Sequence, residues 1–423
     1  MNTPPSSRHE LDRRHFFKSA SVGVTAAAGL LLSPREAAAV QDQARRAALE
    51  RIASNTYPLR QLFKVRAAPP ASAAAAAPRP TAGRRGDFPE DAEAVAANPN
   101  ARDALAVAEK ARAARASLPS GADMKKTYGE ITLLDFPQFT KDTFPGVTRM
   151  DVRSALFGDV TDDSMFFPPE NNQPGGFDPL SPSGRKWLAT LAGTLVKTGT
   201  KIQHISNNAP FELAAYGSPA DDARRKAGVA MAKRWLEGCA VLGIKSMRMN
   251  SPQALGAPIR PNAIARGPGD GYPRNIDLVP MLAAAIESYK EMADVGGNLG
   301  IRVTIENHWG LAADPANIRT IVDEVNHPYC EASPDFCNWE QEYMLFNGLK
   351  MLAPYAHTHV HAKYWDRWGD RNDVQRSTRI MLASGFRGTF ALEYEQGPWD
   401  GVQGAQYLYR EVLAALTEPT PVI

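Results

Sequence analysis

The sequence predicts an α/β fold, a (β/α)₈ TIM barrel. Three observations carry that expectation. From Val147 to Leu416, short β-branched and apolar runs alternate with helical patterns of 10–20 residues, the signature of parallel βαβ units. Seven such strand segments can be counted, and an eighth would close a barrel. Two earlier segments are candidates for the eighth, Arg51–Arg60 ("RIASNTYPLR") and Glu130–Pro137 ("EITLLDFP").

The strands are read at Val147–Arg153, Lys201–Asn207, Ile244–Asn250, Ile301–His308, Tyr329–Asp335, Ala356–Tyr364 and Gly388–Glu395. The helices between them fall at Gly184–Thr198, Asp221–Leu242, Asp277–Val295, Asp314–Val325, Gln341–Leu352, Val374–Ser384 and Gly401–Leu416. Of the two candidates for strand one, Arg51–Arg60 is preferred. The reason is that Asp135 reads as an N-cap with Pro137 in the first turn, which makes Asp135–Phe144 the first helix. The Ala/Pro-rich stretch "RAAPPASAAAAAPRPTAGRR" (Arg66–Arg85) lacks hydrophobic periodicity and cannot build a core. With the polar, Ala-rich Asp87–Arg115 it reads as an insertion over about residues 66–120.

The N-terminus reads as a signal segment, residues 1–39, ahead of one barrel domain at 40–423. Asp12-Arg13-Arg14-His15-Phe16-Phe17-Lys18 is a twin-arginine pattern, followed by an apolar run at Ala20–Leu32 and a small-residue cleavage site at Ala37-Ala38-Ala39. The run of 13 residues is short for a stable membrane anchor. The expectation is export by the twin-arginine (Tat) machinery, in a folded state, to the periplasm or beyond. With 48 basic and 46 acidic residues the chain has a formal charge of +2, which gives no electrostatic case for nucleic acid. Three cysteines (Cys239, Cys330 and Cys337) do not make a disulfide framework. Buried apolar thiols are the simpler reading, with a Cys330–Cys337 pair as the alternative.

In such a barrel the chemistry gathers at the C-terminal ends of the strands. Four consecutive strand ends offer ligand-type residues: Glu306-Asn307-His308, Pro334-Asp335-Phe336-Cys337-Asn338, His359-Val360-His361-Ala362-Lys363 and Glu393-Tyr394-Glu395. Three carboxylates with one imidazole suit one divalent ion, Mn²⁺, Mg²⁺, Co²⁺ or Zn²⁺. His357, His359 and His361 alternate onto one face but differ in depth. His361 lies nearest the mouth, His359 packs or supports it, and His357 is expected to be structural.

"TIENHWG", "PDFCNW", "HVHAKYW" and "ALEYEQ", in that order, resemble the xylose isomerase-like TIM-barrel family, sugar phosphate isomerases and epimerases, over roughly Val147 to the C-terminus. The resemblance implies that Glu306, Asp335, His361 and Glu393 bind one divalent metal. It also implies that Glu306 and Glu393 move the proton through an enediolate. Around them, His308, Asn338, Lys363 and Trp309 are candidate sugar contacts. Glu395 and Trp365 stand beside the same strand ends. One departure from the family is visible. Many members carry D-x-x-H after strand six, whereas here Asn338 occupies the histidine's offset and cannot act as an imidazole would.

The expected function is therefore a metal-dependent sugar isomerase or epimerase acting on a small sugar. Two other readings use the same pocket, a lyase or hydratase eliminating from a 3-keto sugar or glycoside, and a non-catalytic sugar-binding barrel. A DNA-repair nuclease of related fold would need more histidines than the six outside the signal segment.

Overall fold

The structure is a computed structural model, and it describes residues 33–66, 118–168, 175–207, 219–249, 278–308, 310–339, 342–366, 368 and 372–418. The twin-arginine pattern, its apolar run, nearly all of the Ala/Pro-rich insertion and Trp309 lie outside the described residues. The chain divides into two compact units, Met1–Ala47 and Ala48–Ile423. In the first, the described residues from Pro34 onward, including Ala37–Ala39, belong to helix α1 (Pro34–Leu49).

The second unit is the barrel. Its elements run β1 (Ile52–Asn55), α2 (Gly121–Tyr128), α3 (Phe136–Thr143), β2 (Arg149–Arg153), α4 (Pro182–Thr198), β3 (Lys201–Ser206), α5 (Pro219–Cys239) and β4 (Ser246–Arg248). They continue with α6 (Val279–Leu299), β5 (Arg302–Ile305), α7 (Pro315–Val325), β6 (Cys330–Ala332), α8 (Met344–Leu352), β7 (His359–Trp365), α9 (Val374–Ala383), β8 (Thr389–Gln396) and α10 (Gly401–Thr417). All eight strands are parallel in the order β6-β5-β4-β3-β2-β1-β8-β7. The ring closes between the ends of that list through a parallel bridge of Asp335 with His361. Phe336 N–H donates to His361 O and His361 N–H to Pro334 O, each at 3.1 Å. The backbone bonds that close the barrel thus run through two of the predicted ligands and fix their spacing.

Local chemistry explains the strand–helix beat. Ser181 accepts from Gly184 N–H at 2.9 Å and Pro182 starts α4 with its φ already set. Gly199 then ends α4 in the left-handed region (φ 67°), and Gly300 does the same for α6 (φ 70°), so each chain reverses into a strand within two residues. Asp400 opens α10 with a capping box completed by Gln403. Strands buried on both faces carry the core, with Ile52, Val152, Ile205, Met247, Val303, Ile305, Val360 and Phe390 essentially inaccessible.

Arg51–Arg60 supplies strand one, as expected. Glu130–Pro137 contributes only a single bridge, Ile131 to Phe63. Asp135 precedes α3 but does not cap it through its side chain. Its carboxylate instead accepts from Thr132 N–H at 2.8 Å and Thr132 O–H at 2.7 Å, closing the turn before the helix. Cys239, Cys330 and Cys337 are free and buried. Among the described residues no helix is long and apolar enough to cross a membrane.

At the N-terminal end of the barrel, Glu331 on β6 is fully buried. Thr358 N–H donates to it at 3.0 Å and Arg302 stands 3.3 Å away. Burial pushes its carboxyl up to about 7 against the partial opposition of these partners. A group that holds its proton more tightly folded than unfolded stabilises the fold at low pH and loses that contribution as pH rises. Stability is therefore expected to fall between about pH 4.5 and 7. The fall would be about 3 kcal/mol in all, each pH unit of the window being worth about 1.4 kcal/mol. Urea unfolding at pH 5 and pH 8 checks this. Glu331→Gln should flatten the difference between the two, and an equal difference in variant and wild type would refute the assignment.

Candidate metal centre

The C-terminal mouth gathers residues from β1, β2, β4, β5, β7, β8 and the segment after β6. Glu306 follows β5 directly, is buried, and pairs with Arg248 at the end of β4. Its other oxygen accepts from Asn338 Nδ2 at 2.9 Å. Burial alone would raise the Glu306 carboxyl, but Arg248 and His361 outweigh it and hold it well below the usual range.

Asp335 sits in the turn after β6, clamped by Asn307. The Asn307 Oδ1 accepts from Asp335 N–H at 2.7 Å and its Nδ2 donates to Asp335 O at 3.0 Å. One carboxylate oxygen, Oδ1, accepts from Cys337 and Asn338 N–H at 2.7 and 3.0 Å. The other, Oδ2, is buried without a hydrogen-bond partner. Burial pushes this carboxyl up to about 7, Lys363 opposing and Glu393 and Glu306 reinforcing.

His361 is fully buried in β7. Its Nε2 lies 2.8 Å from Asp151 Oδ2, while its Nδ1 lies 3.4 Å from Glu306 and has no hydrogen-bond partner among the described residues. Burial works against a charged ring, yet Glu306, Glu393 and Asp151 together hold its pKa well above the ordinary imidazole value. Ligand atoms of Glu306, Asp335 and His361 all lie within 4.8 Å of one another. Two buried polar atoms without a hydrogen-bond partner among the described residues, Asp335 Oδ2 and His361 Nδ1, lie beside the Glu306 carboxylate, and a bound cation that displaces the ring proton would satisfy both. The donor set of carboxylate oxygens with one imidazole fits a single divalent ion.

The other predicted residues take distinct places. Glu393 is not one of the three. It meets His361 at the opposite ring edge, Oε2 3.6 Å from Nε2, and its Oε1 accepts from Lys363 at 3.0 Å. Lys363 is buried, not a solvated rim charge. It donates to Asn338 Oδ1 at 3.0 Å, stands 3.0 Å from Glu395, and lies 5.7 Å over the Trp365 ring. Burial alone would lower its pKa, but Asp335, Glu393 and Glu395 raise it well above the usual ammonium value, so it stays cationic. Asn338 bridges Glu306 to Lys363, a job that uses both ends of its amide and that an imidazole would do differently. His308 is half-buried next to the Glu306 charge, and burial takes its pKa to about 4, so the ring is neutral. Glu395 also accepts from Tyr57 O–H at 2.8 Å and borders a cavity of about 330 Å³ together with Arg60, Tyr394 and Trp399.

His359 is buried as a supporting group, 3.2 Å from Asp151 and 2.9 Å from Thr389 Oγ1. His357 was expected to pack. It is instead exposed and precedes β7, beside Arg302 and Tyr329 at the far end of the barrel, because the strand begins only at His359.

Residues 163–418, more than half of the chain, match the family model described as xylose isomerase-like TIM barrel. The chain belongs to that family. A search of curated proteins returns no match. Among solved structures, this xylose isomerase-like barrel is similar to an apo 3-keto-D-glucoside 4-epimerase from E. coli. The identity is 16%, the TM-score 0.46, and the match covers 67% of this chain and 94% of that one. It is also similar to a xylose isomerase-like TIM barrel protein from Mycobacterium smegmatis in complex with magnesium (17% identity, TM-score 0.40, 57% and 92% covered). A third likeness is to a D-psicose 3-epimerase from Clostridium cellulolyticum H10 with D-tagatose (14% identity, TM-score 0.42, 68% and 92% covered).

Sequence reasoning missed Asp151, His204 and Asn55. The available signal was a charged or polar residue in the middle of an otherwise apolar strand, as in "RMDVR" and "KIQHIS", where burial on both faces demands a partner.

Proposed function

We propose that the barrel is a divalent-metal-dependent sugar isomerase or epimerase that transfers a proton through an enediolate. The observation that carries this is the buried Glu306, Asp335 and His361 group, in which Asp335 Oδ2 and His361 Nδ1 have no hydrogen-bond partner among the described residues, with a further carboxylate, Glu393, beside His361 Nε2. Glu306, Asp335 and His361 would hold the ion, with Glu393 as the fourth ligand. The ion would supply polarisation of a carbonyl and its neighbouring hydroxyl, acidifying the C–H between them.

The protein's own residues do the rest. Glu306 stands at Nδ1 and Glu393 at Nε2 of His361, so two separate carboxylates are available, one to take the carbon-bound proton and one to return it. Lys363, cationic and buried, stands beside Glu393 to hold a negatively polarised substrate oxygen. Asn338 keeps Glu306 and Lys363 in register, and neutral His308 offers a hydrogen bond without adding charge.

The twin-arginine segment favours a second reading, elimination from a 3-keto sugar or glycoside, because sugar phosphates are mainly cytoplasmic. The same proton removal would begin it. The test is NMR in D₂O of metal-loaded protein with free sugars and with 3-keto glycosides. Deuterium at the carbon next to the carbonyl of an intact isomer supports the first reading. Loss of an aglycone or of water assigns the second, and binding with neither change leaves a sugar-binding barrel. Export itself is tested by cell fractionation. Periplasmic protein that becomes cytoplasmic on Arg13→Lys with Arg14→Lys supports it, and an unchanged distribution rejects it.

A further inference from the structure

Below the candidate metal centre, on the inner side of the barrel, lies a polar group of which the proposed reaction uses only His361. It consists of Asp151 on β2, His204 and Ser206 on β3, His359 and His361 on β7, and Asn55 on β1, all buried. Asp151 is its hub. The Oδ2 atom accepts from Asn55 Nδ2 at 2.9 Å and faces His361 Nε2 at 2.8 Å and His359 Nε2 at 3.2 Å. The Oδ1 atom accepts from Ser206 O–H at 2.9 Å. The Asn55 amide has only one orientation that works, since its Oδ1 takes Tyr57 N–H at 2.6 Å, which turns the NH₂ toward Asp151. The same NH₂ reaches Glu393 Oε2 at 3.3 Å.

A carboxylate has lone pairs and no proton to give, so the ring nitrogen nearer to one keeps its hydrogen; Asp151 Oδ2 stands 2.8 Å from Nε2, whereas Glu306 Oε2 stands 3.4 Å from Nδ1. When an ion takes the place of one ring proton, Nδ1 is the nitrogen that gives it up, the atom 3.4 Å from Glu306 with no hydrogen-bond partner among the described residues. Without Asp151, only the longer contacts of Ser206 Oγ at 3.4 Å and Glu393 Oε2 at 3.6 Å would remain at Nε2. We propose that Asp151 is the positioning residue of the metal centre. It locks His361 in the Nε2–H tautomer and orientation that present Nδ1 as the ligand atom, and through Asn55 it braces Glu393 as well. The proposal rests on the metal-centre part of the functional reading, and not on the reaction assigned to it.

The same residues also bring ligand atoms of Asp151, His204, His359 and His361 within 4.8 Å of one another, which raises the alternative of a second ion. Two features oppose it. Asp151 Oδ2 is already engaged by three nitrogen donors, which an ion would have to displace. In addition, the rings of His204 and His359 are stacked, centroids 4.1 Å apart and planes 7° from parallel. In-plane lone pairs on two parallel rings run side by side and do not converge on one point. Ser246 at 2.8 Å from His204 Nδ1 and Thr389 at 2.9 Å from His359 Nδ1 hold the two rings in that stack.

The test reads the tautomer directly. Full-length protein with ¹⁵N-labelled histidine is loaded with Zn²⁺, a diamagnetic probe, and long-range ¹H–¹⁵N spectra are assigned through His361→Gln. The expected pattern is a proton on His361 Nε2 and a metal-shifted Nδ1. A proton on Nδ1 overturns the proposal. In a second measurement, Asp151→Asn, whose amide can offer N–H to the ring, is expected to weaken Zn²⁺ binding about 10–100-fold in chelator competition. Wild-type affinity in a variant with an unchanged circular dichroism spectrum also overturns it. So does a stoichiometry of two ions per chain that drops to one on His204→Gln. A wild type that binds one ion through Nδ1 yet converts no sugar sinks the catalytic reading and leaves this one standing.

Discussion

Glu306→Gln is expected to lower kcat on any sugar the wild type converts by about 10²–10⁴-fold, the range that a positioned proton-transfer group contributes. The substitution keeps the shape of the side chain and its contact with Asn338, but removes both the charge paired with Arg248 and the basic oxygen facing His361. Two losses are therefore combined, and they separate by metal titration. If added Mn²⁺ restores full occupancy and kcat stays low, Glu306 acts on the proton. If saturating metal restores kcat, it acts only as a ligand. Full turnover without extra metal would refute both roles. Glu393→Gln should behave similarly but with a milder metal defect, because Glu393 lies outside the close group of Glu306, Asp335 and His361.

Asp335→Asn is expected to strip the centre of its ion while leaving the turn intact. The Asp335 Oδ1 that receives Cys337 and Asn338 N–H has a counterpart in the amide oxygen, so the backbone loses nothing. The Oδ2 that has no hydrogen-bond partner is replaced by an NH₂ that cannot bind a cation. In the wild type, free Mn²⁺ at 1,000 times its Kd should add about 4 kcal/mol to the unfolding free energy. If the variant binds about 100-fold more weakly, the same concentration adds only about 1.4 kcal/mol. Thermal unfolding with and without chelator, together with elemental analysis after gel filtration, gives both numbers. Equal stabilisation of variant and wild type would remove Asp335 from the ligand set.

The electrostatics explain why these two residues matter in different ways. Glu306 has a permanent cation beside it in Arg248 and stays ionised without help. Asp335 has Lys363 only at 3.6 Å from Oδ2, and burial pushes its carboxyl up to about 7. A divalent ion would therefore be felt most strongly at Asp335, the member of the group that most lacks a partner for its charge.

By itself the sequence determined the architecture and pointed to residues that the structure gathers into a candidate site. Strand and helix periods, Gly199 and Gly300 after helices, and Pro182 and Asp400 before them are local signals, and local sterics and hydrogen bonding decide them. Strand order then follows from connectivity, since each helix returns the chain to the next parallel strand. Glu306 and Asp335 were legible because they follow β5 and β6, where the barrel puts chemistry, while His361 and Glu393 were legible from the motifs of β7 and β8, inside which they lie.

Only the tertiary structure decided what supports them. Asp151 is 210 positions from His361 in the chain, and Asn55 is 338 from Glu393, so no spacing rule connects them. They meet because closing the barrel brings inward-facing residues of distant strands to one depth, and in that dry interior an unpaired carboxylate or imidazole is too costly to leave alone. The same closure buried Lys363 and left His357 outside. Whether a charged side chain faces water or a partner depends on where its strand begins and ends, and the alternation pattern within the strand does not specify that.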